Sequence, residues 1–345
     1  MQNYVKPYTG EAIFKITRKR TGEEKIGETV LSGSANWVSD LRSTPAKFVV
    51  FGIPEDIGVR ANYGRAGAAT AFKPALDSFL NQQNNGFLNA ADVFILGEVF
   101  VDDLMASAAE LDMKNMKDLE KLRDLVSVLD ERVTSVMKLL VGLHKIPVII
   151  GGGHNNSYGN IKGASQALHE KINVINCDPH LDFRPLEGRH SGNGFSYAYE
   201  QNFLNKYAVF SMHEQYNNKS TIQTFIENPQ SLFYNTYESV FVREELTFKQ
   251  ALDQCIGFTK GRPCGLEIDL DAITNVPSSA KTSSGISPAQ ARHYIHHSAS
   301  NLNIVYFHVA EGAPVLSHIK ADNKTGKLIA YLMTDFIKAA SAKDN

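Results

Sequence analysis

Three short runs in this 345-residue sequence concentrate side chains able to hold metal ions. An apolar stretch at 147–150 runs into Gly151-Gly152-Gly153-His154-Asn155-Asn156. A second, at 172–177, runs into Asp178-Pro179-His180-Leu181-Asp182, and a third carries Glu267-Ile268-Asp269-Leu270-Asp271. On extended backbone, side chains two residues apart share a side. Asp178, His180 and Asp182 are therefore expected to point together, as are Asp269 and Asp271. Pro179 supports the extended reading, because the residue before a proline is driven out of the helical region. Four carboxylates and two imidazoles gathered at one edge repel unless protonated or matched by cations. Two divalent metal ions are the simplest match. Singly, each run has an ordinary explanation as a glycine turn, a pair of loop caps or a surface loop. Jointly, each at the end of an apolar run, they point to a metal centre.

Such a centre needs elements that bring chain-distant runs to one place. Eight short runs rich in Val, Ile and Phe read as strands, at 48–53, 93–96, 147–150, 172–177, 208–211, 232–234, 265–270 and 304–309. Helix-period segments lie between them. The clearest, 116–143, sets Leu119, Leu122, Val126, Leu129, Val133, Val136 and Leu140 at three- and four-residue steps. Others span 68–80, 161–169, 220–227, 248–256, 288–298 and 328–340. This alternation predicts an α/β three-layer sandwich, a mostly parallel sheet of about eight strands covered by helices on both faces. In open sheets of this kind ligands sit beyond the carboxyl ends of the strands, where the three runs fall. Residues 1–44 are polar and weakly patterned, and read as an N-terminal extension, an arm or a lid. Residues 45–345 read as a single domain without linker or repeat.

Composition narrows the partners. A formal charge of −2 and a pI near 6.6 give no footprint for nucleic acid or an anionic membrane. No apolar run approaches the roughly 18 to 20 residues of a membrane span. The first twenty residues lack the apolar core of a secretory signal. Cys177, Cys255 and Cys264 form no CxxC pair and leave one odd, as expected in a reducing compartment. The expectation is a cytoplasmic protein that meets small molecules and other copies of itself, as a homo-oligomer.

The runs GGGHNN, DPHLD and EIDLD resemble the metal motifs GGxH, DAHxD and DxDxxDP of the arginase, agmatinase and formimidoylglutamase family. GVRANYGRAGA at 58–68 is similar to the GVRRNxGRxGA stretch of formimidoylglutamases, and Ser191-Gly192-Asn193 to the SGN of arginases. Glu311 falls where the family carries its guanidinium-binding glutamate. The resemblance implies an arginase-like fold and two ions per chain. His154, Asp178, Asp182 and Asp269 would hold one; Asp178, His180, Asp269 and Asp271 the other, with Asp178 and Asp269 bridging. One imidazole per ion among oxygens, with no thiolate, suits Mn²⁺. Two such ions lower the pKa of a shared water from about 15.7 toward about 7. The hydroxide then attacks an amidine carbon, Asp182 orienting it and accepting its proton while Glu311 holds the cationic N–C–N group.

Departures from the pattern refine this. Pro179 replaces the family's Ala, Thr274-Asn275 replaces its Asp-Pro, and Phe195 stands where arginases carry a histidine that shuttles a proton. Arg60, Arg65 and Arg184 are candidate clamps for a substrate carboxylate, and Asn193 a candidate donor to it. Each alone also reads as a surface ion pair or a loop cap. His190 reads as a solvated loop histidine or a replacement shuttle, and Cys177 as a buried, inert thiol. The expected activity is hydrolysis of N-formimino-L-glutamate to L-glutamate and formamide. A guanidino-acid hydrolase of the arginase type is the alternative. A third reading, a catalytically silent metal-binding member, is disfavoured by the complete six-residue donor set.

Overall fold

Ten strands form one sheet in the computed structural model, which describes residues 4–317 and 323–343. His318, to which the sequence gives no role, lies outside the described residues, as do the ends of the chain at 1–3 and 344–345. The strands are β1 (Val5–Pro7), β2 (Leu31–Ser32), β3 (Phe48–Gly52), β4 (Val93–Val99) and β5 (Ile146–Ile150), then β6 (Ile172–Cys177), β7 (Leu204–Met212), β8 (Leu232–Thr236), β9 (Cys264–Asp269) and β10 (Ile304–Ala310). Their order is β1-β4-β3-β5-β10-β9-β6-β7-β8, with β2 also on β4. Among these strands of the described residues, only β1 runs antiparallel to its neighbour; the other strand pairings are parallel. The eight strands from β3 to β10 are those the sequence predicts. The two extra ones, three and two residues long, are too short to carry a period-two pattern and owe their conformation to pairing with β4.

Helices cover both faces. Phe72–Leu80, Phe248–Thr259, Pro288–Asn301 and Lys324–Ser341 bury their apolar stripes in one core, on the face to which Phe48 and Val50 point. Trp37–Ser43, Met116–Gly142 and Asn156–Leu168 form the other, facing Val49 and Phe51. The alternation along β3 is thus split between two cores, the three-layer arrangement. Asn115 caps the Met116–Gly142 helix by accepting from the N–H groups of Lys117 and Asp118. Its stripe of Leu119, Leu122, Val126, Leu129, Val133, Val136 and Leu140 is buried, each side chain contributing about 1.5 to 3 kcal/mol. Among the described residues, no helix is long and apolar enough to cross a membrane.

Residues 5–43 lie on the sheet's edge: β1 and β2 pair with β4, and Trp37 and Leu41 are buried in the second core. For the site, the central strands matter most. β5, β10, β9 and β6 are immediate neighbours, and their register aligns Ile150 with Val309, Ala310 with Asp269, and Ile268 with Cys177. Their carboxyl ends therefore lie side by side.

Candidate metal centre

His154, Asp178, Asp182 and Asp269 meet beyond the ends of β5, β6 and β9. His154 Nδ1 lies 3.0 Å from Asp178 Oδ2, 3.0 Å from Asp182 Oδ2 and 3.4 Å from Asp269 Oδ2. His180, Asp269 and Asp271 form a second group. Asp269 belongs to both, and Asp178 reaches both histidines, its Oδ1 standing 3.4 Å from His180 Nδ1.

Turns make this convergence. After β5 the backbone passes through Gly151 and Gly152 at φ +84° and +77°, a left-handed region that residues with a Cβ rarely enter. That turn delivers His154 to the start of the Asn156–Leu168 helix. Gly58 provides its seat, since a Cβ there would stand 1.9 Å from Asn155 Oδ1. The Asp178–Asp182 run is not extended, contrary to the alternation argument. Asp178 Oδ1 accepts the His180 N–H at 2.7 Å, and Asp182 adopts φ +44°. Likewise Asp271 sits on a 3₁₀ turn, Leu270–Ala272, and donates its N–H to Asp269 Oδ1 at 2.6 Å. Both runs fold back on their own carboxylates, because a short Asp side chain competes well for nearby N–H groups. Glu311, at φ +63°, shares the strained backbone of Asp182, and strain of this kind concentrates at functional sites.

The donor set fits divalent cations by its own chemistry. Both ring nitrogens of His154 are buried without a hydrogen-bond partner, although three carboxylates crowd Nδ1. A ring N–H has one proton to offer; a cation satisfies several oxygens at once. Burial, then repulsion from neighbouring carboxylates, pushes the Asp182 and Asp269 carboxyls above their ordinary range, and burial likewise raises Asp271. For Asp178 burial works in the same direction, but the imidazoles of His154 and His180 outweigh it and hold that carboxyl low.

A cavity of about 340 Å³ opens beside both groups, within the range of small-ligand sites. His180, Asp182, Asp269, Asp271 and Glu311 line it. Glu311 Oε1 accepts the His154 N–H at 2.8 Å, whereas its Oε2 is buried with no hydrogen-bond partner. Burial, and then Asp271, push the Glu311 carboxyl up to about 8.

Of the candidate arginines, Arg184 lines the cavity, its Nη2 3.1 Å from Glu187 Oε1. Arg65 is exposed and donates to the Ser279 carbonyl at the rim. Arg60 turns away to the Leu111 carbonyl, and Asn193 is buried among Arg189, His190, Pro185 and Gly188. Neither reaches the cavity, contrary to the expectation from sequence. His190 is not solvated: its Nδ1 accepts the Gly192 N–H at 3.1 Å, and burial draws its pKa down to about 4. Phe195 is buried, edge-on to His154 and stacked on Tyr207 at 4.2 Å, so it packs behind the imidazole ring and has no proton to move. The Cys177 thiol is buried and pushed well above its ordinary range, as an inert thiol should be.

Three contributors receive no role from the sequence alone. Glu55 is fully buried; Oε1 accepts from Gly153 N–H and from the Asn155 and Asn156 amides, and Oε2 from the N–H groups of Ile57 and Gly58. It ties the His154 loop to the segment after β3. Its signal is its place: an acidic residue just past an apolar strand, on the edge where the others were sought. Asn62 lines the cavity and donates to Ser191 Oγ at 3.2 Å. Arg189 is a buried hub, bonded to Asp130, the Asn155 carbonyl and Asn193, between the rings of Tyr158 and Tyr197 at 4.8 Å each. An aspartate on the buried face of the 116–142 helix is the signal that such a partner exists. Arg189→Met should lower stability by about 3 kcal/mol, because it leaves Asp130 buried and unpaired. A chemical-denaturation midpoint equal to wild type would show that the pair contributes nothing.

The sequence pattern of the arginase family matches residues 46–338. The formimidoylglutamase of Streptococcus pyogenes serotype M12 (strain MGAS2096) is 27% identical over 295 residues, 82% of this chain and 81% of that relative. Trypanosoma cruzi formiminoglutamase, solved with Mn²⁺, superposes with a TM-score of 0.70 at 20% identity, covering 92% of this chain and 98% of that one. The formimidoylglutamase of Bacillus subtilis subsp. subtilis str. 168 does so with 0.72 at 15% identity, covering 94% of each. These superpositions speak for the fold, and the family match for descent. The chain belongs to the arginase family of C–N bond hydrolases.

Proposed function

We propose that the protein acts as a formimidoylglutamase, converting N-formimino-L-glutamate and water to L-glutamate and formamide. One observation carries this reading: the same cavity is lined by carboxylates, Glu311 with its Oε2 uncommitted among them, and by the arginine Arg184. The substrate carries a cationic amidine at one end and carboxylates at the other, which matches a lining with both signs of charge. The formimidoylglutamase relatives support the same choice. The free, buried cysteines Cys177, Cys255 and Cys264 support a reducing, cytoplasmic setting.

His154, Asp178, Asp182 and Asp269 would hold one Mn²⁺, and Asp178, His180, Asp269 and Asp271 the second. Bound there, the ions supply a water that ionises near neutral pH. Glu311 Oε2 receives the amidine N–H groups and turns the planar carbon toward the cluster. Asp182 takes the water's proton and passes it to the leaving nitrogen, the role for which Phe195 is unfit. A C–O bond forms at the formimidoyl carbon, the C–N bond to the glutamate nitrogen breaks, and that nitrogen leaves protonated. Arg184 exchanges Glu187 for a substrate carboxylate, with Asn62 and Ser191 beside it.

The test is kinetic. Arg184→Ala should lower kcat/KM on N-formimino-L-glutamate about 30-fold, near 2 kcal/mol, the low end for a charged pair because this side chain is half exposed. Agmatine, which has no carboxylate, should be affected little, and bound metal not at all. Arg60→Ala should cost less than about 1 kcal/mol on either substrate. Equal small losses on both substrates, or a wild-type preference for agmatine, would refute the substrate assignment.

A further inference from the structure

His154 has two ring nitrogens, and only Nδ1 reaches the carboxylates around the cavity. Nε2 points back into the sheet toward Glu267, whose Oε2 lies 3.4 Å away, close enough for charge attraction although outside hydrogen-bond geometry. Glu267 lies on β9 two residues before Asp269, so both side chains leave the sheet on one face. Its Oε2 is 2.6 Å from His308 Nδ1, and its Oε1 accepts the Tyr306 hydroxyl at 2.8 Å. The parallel register with β10 sets His308 beside Glu267 and Tyr306 beside Gly265. Only glycine fits at 265, since a Cβ there would stand 2.4 Å from the tyrosine hydroxyl oxygen. His308 Nε2 lies 3.3 Å from the carbonyl of Gly151, the first residue of the turn that carries His154.

Glu267, His308 and Tyr306 are all fully buried, and none lines the cavity. A carboxylate inside a sheet is costly, and apolar residues of the same size would serve the core as well or better. Substrate contact does not explain it. Nor does an ion of its own: a carboxylate oxygen and a ring nitrogen 2.6 Å apart share a proton and leave no room between them.

We propose that Glu267, braced by His308 and Tyr306, is a positioning residue that keeps the His154 ring proton on Nε2 and so leaves the Nδ1 lone pair free for a metal ion. Carboxylate partners of ligating histidines fix the tautomer and ring orientation in this way, and losing one typically weakens metal binding about 10- to 100-fold. The effect should be one-sided, because His154 belongs to the group with Asp178 and Asp182 and not to the group with His180 and Asp271. The proposal rests on the two-ion reading, and the experiment separates the two.

Chelator-stripped protein is titrated with Mn²⁺ by calorimetry, with the Mn²⁺-induced shift in melting temperature as a second readout. Wild type should take up two ions. Glu267→Leu should bind one of them 10- to 100-fold more weakly and the other unchanged, and Glu267→Gln, which keeps an acceptor oxygen, should recover part of the loss. Tyr306→Phe removes one brace without altering the carboxylate; should the leucine variant not fold, a smaller weakening of the same ion in Tyr306→Phe and Glu267→Gln carries the test. Wild-type affinity for both ions in these variants overturns the positioning role and leaves the two-ion reading standing. A wild type that binds no ion overturns both.

Discussion

Asp269→Ala is expected to lose both metal ions and at least about 10⁴-fold in kcat. Asp269 stands in both donor groups, and its Oδ1 also anchors the turn that carries Asp271. Its removal therefore opens each group and loosens the second. The magnitude follows from the nucleophile: without the ions, the water's pKa returns from about 7 toward about 15.7, and the hydroxide population at neutral pH falls by far more than 10⁴. Asp271→Ala touches one group only and should retain one ion. Elemental analysis beside steady-state rates checks both variants. A half-loaded Asp269→Ala protein with normal turnover would show that this carboxylate does not bridge.

Glu311→Gln is the second large effect, a fall in kcat/KM of about 10³-fold, or about 4 kcal/mol, with metal content unchanged. The glutamine keeps the shape and can still accept the His154 N–H through Oε1, so the loop that carries His154 stays in place. What disappears is the negative charge that a bound amidinium would draw onto Oε2, a buried oxygen with no hydrogen-bond partner in a carboxyl otherwise raised to about 8. A cationic amidine desolvated against a neutral amide loses the charged half of its pair, a loss of about 2 to 5 kcal/mol or more. Initial rates at limiting N-formimino-L-glutamate measure it. Equal kcat/KM in the variant would remove Glu311 from the amidine site and leave its strained backbone without a functional account.

The eight parallel strands are legible in the sequence because strands covered on both faces become nearly continuous runs of Val, Ile and Phe. The long helix is legible from its three- and four-residue steps. β1 and β2 are not, since tertiary pairing makes them. At the site, the residues that gather can be read from their places at strand ends, but their conformation cannot. Two-residue alternation assumes extended chain, and an aspartate that can hydrogen-bond the next N–H but one breaks that assumption at Asp178 and at Asp269. Arg60 shows the limit of motif proximity: it lies in the same stretch as cavity-lining Asn62, on a short helix that points its guanidinium toward Leu111. Asn193 shows another, for the buried arginine four residues earlier, Arg189, claims its oxygen. The places of Glu55 and Glu267, just past one apolar strand and within another, mark them as carboxylates near the site, but what each braces rests on contacts between distant segments.

The most direct test is proton NMR of the Mn²⁺-loaded protein incubated in parallel with N-formimino-L-glutamate, L-arginine and agmatine. Formamide and L-glutamate should appear in equal amounts from the first, stop when the metal is chelated and resume when Mn²⁺ is returned. Urea from arginine or agmatine with N-formimino-L-glutamate untouched, or turnover indifferent to chelation, would contradict the account.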